Sequence, residues 1–194
     1  MEIINGAPLL VAATAEGAAH APANLPLLIT GVGTVACSIS LTAALSAARA
    51  EGRVPSQLLN FGTAGALKNG LHGIFEISSV YQHDFDSDMI EQITGKPCRN
   101  RMVLDVSGYF PTARLATGDR FISDSVMRGQ LSEFADLAEM EGYAVARVGE
   151  YFDLPVTLLK QVSDRADEDA PKGWSAAAEG GAQELGEALH RLVG

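Results

Sequence analysis

Two pairs of residues in the stretch 139–167 have the types and spacing to do chemistry. Glu139 and Glu141 stand two apart where a helical pattern begins, and Ser163 and Asp164 follow directly on a short apolar run. In open α/β sheets, ligands bind outside the carboxyl ends of the strands. This unit can therefore offer carboxylates from a helix start and from a strand end to one cleft. Carboxylates in such a cleft favour positive charge that develops on a substrate, and they can give or take a proton. Glu141 and Asp164 are each set in apolar sequence, where a carboxylate is costly unless it is paired or used. The structural alternative is that both cap helices or meet an arginine such as Arg147 or Arg165.

The elements that must position these residues follow from the surrounding pattern. Met140, Ala144, Val145, Val148 and Phe152 recur at helical spacing and predict a core-facing helix. Pro155 ends it, because the residue before a proline avoids the helical region. Residues 156–162 read as a buried strand. Upstream, strands are expected at 8–13, 27–30, 57–61, 74–81 and 113–117. A helix is expected over 34–49, with Val35, Ile39, Ala43 and Ala47 at helical spacing, then a short helix over 125–134 and an amphipathic one over 173–194. Residues 83–88 read as an acidic turn and 89–111 as a loop, part of which could cover a substrate. Strands alternating with helices over short loops predict an α/β fold with helices on the faces of a mixed sheet. Small or polar residues close several strands: 14–16, 31–33, 62–65, 118–122 and 163–164. They let a ligand come close to the backbone.

The composition narrows the function. A chain of 194 residues suits a single domain, 1–194, with a sizeable core. Its net charge of −10 argues against a nucleic-acid backbone as partner but leaves a nucleoside open. Cys37 and Cys98 are too few for a disulfide framework and have no neighbours at metal-ligand spacing, which fits a reducing cytoplasm. No signal peptide is expected. Residues 21–48 carry no charge, but their prolines and glycines predict a strand, a loop and a helix instead of a membrane span. Gly31-Val32-Gly33 lacks the second strand and acidic partner of a dinucleotide fingerprint, and Gly62-Thr63-Ala64-Gly65 lacks the lysine of a phosphate loop. His83, Asp84, Asp86 and Asp88 lack the glycine and closing glutamate of a calcium loop and read as a solvated turn.

Four segments, GVGTVA (31–36), NFGTAGAL (60–67), ATGDRFIS (116–123) and AEMEGYAVARVGEYFDLPVTLLKQVSDRAD (138–167), stand in the order and rough spacing of one family. The chain resembles the nucleoside phosphorylase/nucleosidase superfamily, and most of all its methylthioadenosine/S-adenosylhomocysteine nucleosidases, from Leu10 to about Asp169. The resemblance implies a three-layer α/β/α nucleoside phosphorylase-like fold whose mixed central sheet partly curls into a barrel. It implies cleavage of a purine N-ribosidic bond without metal or organic cofactor, and a homodimer. It implies that Met140 packs under the ribose, Glu141 accepts the ribose hydroxyls, and Asp164 protonates the purine with Ser163 in support. Phe121 would stack near the base and the backbone of Ile122 would read its edge. Thr63, Ala64 and Gly65 would line the ribose and water site, and Glu16 would activate the water.

The residue types suit that chemistry: loss of the base builds positive charge on the sugar, and the purine leaves only if an acid protonates it. Asn60 stands where the phosphorylase branch carries an arginine, which favours water over phosphate as nucleophile. Arg120 and Lys68 leave a phosphorylase open, and a nucleoside-binding protein without catalysis is the third reading. The chain departs from the family pattern in three places. Glu16 is followed by Gly17 where the family has a run of glutamates, Lys160 holds the position of an arginine, and the stretch between Asp88 and Arg114 is short.

Overall fold

The structure is a computed structural model that describes the backbone of residues 1–194 and the side chains of all but 175–179. In chain order the elements are β1 (Leu9–Ala12), β2 (Leu27–Ile29), α1 (Thr34–Ala50), β3 (Leu58–Ala66), β4 (Ile74–Gln82), α2 (Ser87–Thr94) and β5 (Arg101–Val103). Then come β6 (Thr112–Thr117), α3 (Ser125–Ser132), β7 (Leu137–Glu139), α4 (Gly142–Phe152), β8 (Val156–Asp164) and α5 (Ala170–Val193).

The sheet is mixed and closes on itself. β3 pairs with β7, β7 with β6, β6 with β4, β4 with β8, and β8 again with β3. β1 and β2 extend the ring from β3, and β5 extends it from β4. β8 is the staple: it runs parallel to β3 from Leu58↔Val156 to Gly65↔Asp164, and antiparallel to β4.

Successive side chains of a strand point to opposite faces, and leucine pairs exploit this. Leu9, Leu58 and Leu158 face α1 and α4, whereas Leu10, Leu59 and Leu159 face Leu185, Ala188 and Leu189 of α5. The result is the three-layer arrangement that the resemblance implies, with the helices on the sheet's faces that the alternation of elements predicts.

Several expectations are corrected. In α1 the Val35–Ile39–Ala43 stripe lies in the open, with Val35 and Ile39 65% and 66% exposed, and Cys37, Leu41, Leu45 and Ala48 are buried instead. Both stripes are apolar at helical spacing, so period alone cannot choose between them. Residues 62–65 are not a loop but the second half of β3, which continues through the glycines with a register shift at Ala64/Gly65. Within the expected loop 89–111 lie most of α2 and all of β5. The carboxylates of the expected solvated turn have partners: Asp86 caps α2 by accepting the Met89 N–H at 3.0 Å, and Asp84 accepts the Asp119 N–H at 2.8 Å. No helix among the described residues is long and apolar enough to cross a membrane.

Candidate active site

One cavity of about 820 Å³ opens where the ends of β1, β3, β7 and β8 meet the loop after β6 and the start of α5. All of the sequence-predicted site residues line it: Asp164, Glu16, Glu141, Met140, Ser163, Phe121, Ile122, Thr63, Ala64 and Gly65. They come from five separate parts of the chain, and the closed sheet brings them together.

Glu141 lies in the turn between β7 and α4, 8% exposed. Neither Arg147 nor Arg165 meets it: Arg147 pairs with Glu150 and Arg165 with Asp167. Instead its Oε1 accepts the Gly33 N–H at 2.8 Å, across from the start of α1. Gly33 has φ of 95°, a backbone region open to glycine, and that turn aims the N–H. Burial pushes the Glu141 carboxyl up to about 7, and the charge of Glu139 adds to the rise, against the pull of Lys160 and the Gly33 N–H.

Glu139 has a different task. Its carboxylate accepts the Thr117 hydroxyl at 2.5 Å, the Glu141 N–H at 3.0 Å, the Gly142 N–H at 2.9 Å and the Lys160 ammonium at 2.8 Å. Burial opposes its ionisation, but Lys160 and these donors together hold its carboxyl below the usual range. The Lys160 ammonium also donates to Asn60 Oδ1 at 2.8 Å, and Asn60 Nδ2 donates to the Val11 carbonyl at 3.1 Å. One buried polar belt thus runs from β6 through β7, β8 and β3 to β1 and fixes the backbone on which Glu141 sits. The sequence reading named Glu139 and Lys160 but not their contact. The available signal was a lysine alone in the apolar run of β8.

Asp164, half-buried at the end of β8, is held by the Ser163 hydroxyl at 2.7 Å and the Ala166 N–H at 2.8 Å. It does not meet an arginine. Gly65 permits this placement, since a Cβ there would lie 2.8 Å from Asp164 Oδ1 and 3.0 Å from the Ala166 Cβ. Thr63 accepts the Trp174 indole N–H at 3.2 Å. Trp174, Pro171, Ala182 and Leu185 make α5 an apolar wall of the cavity, which the sequence reading missed. Glu16 stands at the rim, exposed. Opposite α1, Asp119 accepts both the N–H and the hydroxyl of Thr34 at 2.6 Å, which ties the Phe121 loop to the Gly33 turn.

Among the described residues, the two cations that line the cavity, Lys160 and Arg120, are engaged, as is Lys68 outside it. Lys160 is spent on Glu139, Arg120 reaches Asp124 at 3.4 Å, and Lys68 pairs with Asp136 at 2.6 Å. Asn60 accepts from Lys160 and offers no charge. Among the described residues no group of three or more His, Cys, Asp or Glu could hold a metal ion.

The sequence matches the family model of the phosphorylase superfamily over residues 25–194. The chain belongs to the phosphorylase superfamily. Among curated superfamily relatives, the 5′-methylthioadenosine/S-adenosylhomocysteine nucleosidase of Shewanella pealeana is 30% identical over 167 residues, covering 73% of this chain and 68% of the relative. That of Shewanella oneidensis is also 30% identical, covering 75% and 69%. Among solved structures, a Helicobacter pylori methylthioadenosine nucleosidase mutant with 5′-methylthioadenosine in its active site superposes with a TM-score of 0.82 at 21% identity, covering 98% of this chain and 99% of that one. A futalosine hydrolase mutant of the same species gives 0.81 at 21% identity, covering 97% and 98%. The superfamily's mixed sheet is thus the sheet described above.

Proposed function

We propose that this superfamily member is an N-ribosyl hydrolase that cleaves the glycosidic bond of a purine nucleoside, with 5′-methylthioadenosine and S-adenosylhomocysteine as its substrates. The observation that carries the reading is one cavity holding two differently housed carboxylates, Glu141 and Asp164, with no uncommitted cation among its described residues. Glu141 accepts the ribose hydroxyls and, ionised, favours the positive charge that grows on the sugar. Asp164, steadied by Ser163, protonates the departing purine. Met140 supports the ribose, Phe121 stacks near the base, the backbone of Ile122 reads its edge, and Thr63, Ala64 and Gly65 line the ribose and water site. Glu16 takes the proton from water. The apolar wall of α5, with Trp174 and Leu185, suits a thioether 5′ substituent.

Water is favoured over phosphate because phosphorolysis requires cations on the incoming anion, and Lys160, Arg120 and Lys68 are each paired with a carboxylate. Incubation with methylthioadenosine, adenosine and inosine, with and without phosphate, tests the reading. Free sugar and free base without phosphate are expected. Sugar 1-phosphate formed only with phosphate would make the protein a phosphorylase, and binding without base release would make it a nucleoside-binding protein.

We also infer a homodimer in the cytoplasm. The outward stripe of α1, with Val35 and Ile39, and the exposed apolar Met89 and Ile93 of α2 offer surface for a second copy. Both cysteines are free thiols, in keeping with a reducing compartment. Sedimentation at several concentrations is expected to give twice the chain mass, and a monomer throughout would remove the dimer.

A further inference from the structure

Lys160 brings one positive charge to two buried carboxylates, Glu139 and Glu141. We propose that Lys160 is a positioning residue for the sugar end of the reaction: anchored on Asn60, it keeps Glu139 ionised as the clamp of the 139–142 backbone and so leaves Glu141 free to ionise against the sugar. The proposal deepens the functional reading above and rests on its assignment of Glu141 to the ribose.

The argument is one of donors and charges. Glu139 receives hydrogen bonds from Lys160, the Thr117 hydroxyl and the N–H groups of Glu141 and Gly142. Glu141 receives one, from Gly33. With Lys160 in place, the three groups carry a single net negative charge when both carboxylates are ionised. Without the ammonium, two like charges would share a buried site, and such a pair retains a proton between them. Three donors remain on Glu139 against one on Glu141, so the proton settles on Glu141. Losing Lys160 therefore disarms a carboxylate that it does not itself touch. Asn60 makes the arrangement directional: its Oδ1 receives a second N–H of the ammonium, and its Nδ2 is fixed to the Val11 carbonyl.

The other ionisable groups facing Glu141 do not replace Lys160. Asp119, from the loop after β6, adds negative charge and is already bonded to Thr34. Cys37, from α1, has its thiol pushed up to about 12, by burial first and then by Glu141, and stays neutral. His83, just after β4, acts on Glu139 and not on Glu141, and burial holds it below its usual range, so it is neutral too. Asp164 and Glu16 line the same cavity and bring no positive charge, and the exposed Arg120 is engaged with Asp124.

The test combines the acid limb of kcat/KM for base release with a carboxyl-carbon NMR titration of Glu141, assigned with Glu141→Gln. In Lys160→Met both the limb and the titration are expected to move up by about one pH unit or more, so that kcat/KM near neutrality falls by about tenfold. Lys160→Arg keeps the charge and is expected to hold the wild-type limb. Glu139→Gln combined with Lys160→Met removes both charges of the pair and is expected to bring the Glu141 titration back down, whereas loss of packing alone would make the double variant no better than the single. The proposal is overturned if Lys160→Met lowers kcat/KM by one factor at every pH with the Glu141 titration unmoved. If Lys160→Met does not fold, the Lys160→Arg and double variants carry the same comparison. If no nucleoside is turned over by any variant, the hydrolase reading fails, and the titration still decides the role of Lys160.

Discussion

Two parts of the cavity wall are built in opposite ways. On the buried side, Glu139, Glu141 and Lys160 are enclosed, and Glu139 and Lys160 belong to a hydrogen-bonded belt that ties five strands. On the open side, the loop after β1 carries Glu16 in the open, held by tight turns in which Gly17 N–H meets Thr14 Oγ1 and Ala19 N–H meets the Glu16 carbonyl, both at 3.2 Å. Its far side is fastened, where Ala18 joins the apolar cluster of Leu185 and Leu189 of α5. The difference matches the two tasks proposed for Glu141 and Glu16. A carboxylate that faces growing positive charge works best in a dry, fixed place, where no reorganisation is needed at the moment of reaction. A group that takes a proton from water must stay near water, and segments with few buried contacts are those that open most readily.

The largest effect expected belongs to neither of these residues but to Asp164, the proposed acid. Asp164→Asn should lower base release by about a thousandfold or more with the fold intact, and near wild-type turnover would move the acid elsewhere. On the open side, Glu16→Gln should cost about a hundredfold in kcat. A change below about threefold there would break the comparison, because water activation would then belong to another group.

On the buried side, the acid limb of kcat/KM for the wild-type protein should lie near pH 7, where Glu141 ionises. The same carboxyl gives a stability prediction with a definite sign. Its folded value is raised above that of the unfolded chain, so below about pH 4.5 both states hold the proton and the group has no effect. As pH rises toward 7 the unfolded chain binds fewer protons than the folded one, and stability falls. Glu141→Gln should therefore raise the melting temperature by about 3 °C or more at pH 8 and leave it nearly unchanged at pH 4. The smallest effect concerns a surface pair remote from the contrast: Lys68→Ala removes one partner of Asp136, which keeps Arg114, and should cost less than about 1 kcal/mol. A larger loss would mean that the exposed pairs matter as much as the buried belt.

Much of this was legible in the sequence, and the gaps have physical causes. The helix–strand unit α4–β8 declared itself by period, proline and length. β7 did not, because three residues are too few to show a period. Residues 62–65 look like a turn by composition, yet β3 runs through them because β8 supplies its pairing, an interaction that no local window contains. α2 carried an Asp cap at 86 and a left-handed Gly95 at its end, signals outweighed by the polar residues around them. The residues lining the cavity could be named from their motifs, whereas Trp174 could not, since on an amphipathic helix an aromatic residue reads equally as core or surface. The belt through Asn60 and Lys160 needed coordinates, because its members are 100 residues apart.

The closed ring has a kinetic consequence. β8 is the last strand of the chain, and its pairings with β3 and β4 join residues far apart in sequence. Such contacts return nothing until the entropy of closing a long loop has been met, so they form late and slowly. Asp164 occupies the final rung of β8, beyond the register shift, opposite Gly65. A chain caught before that rung forms would leave Asp164, the proposed proton donor, unplaced however well its helices had docked. On refolding, turnover should therefore return with the slowest phase of recovery and not with the earlier gain of helix.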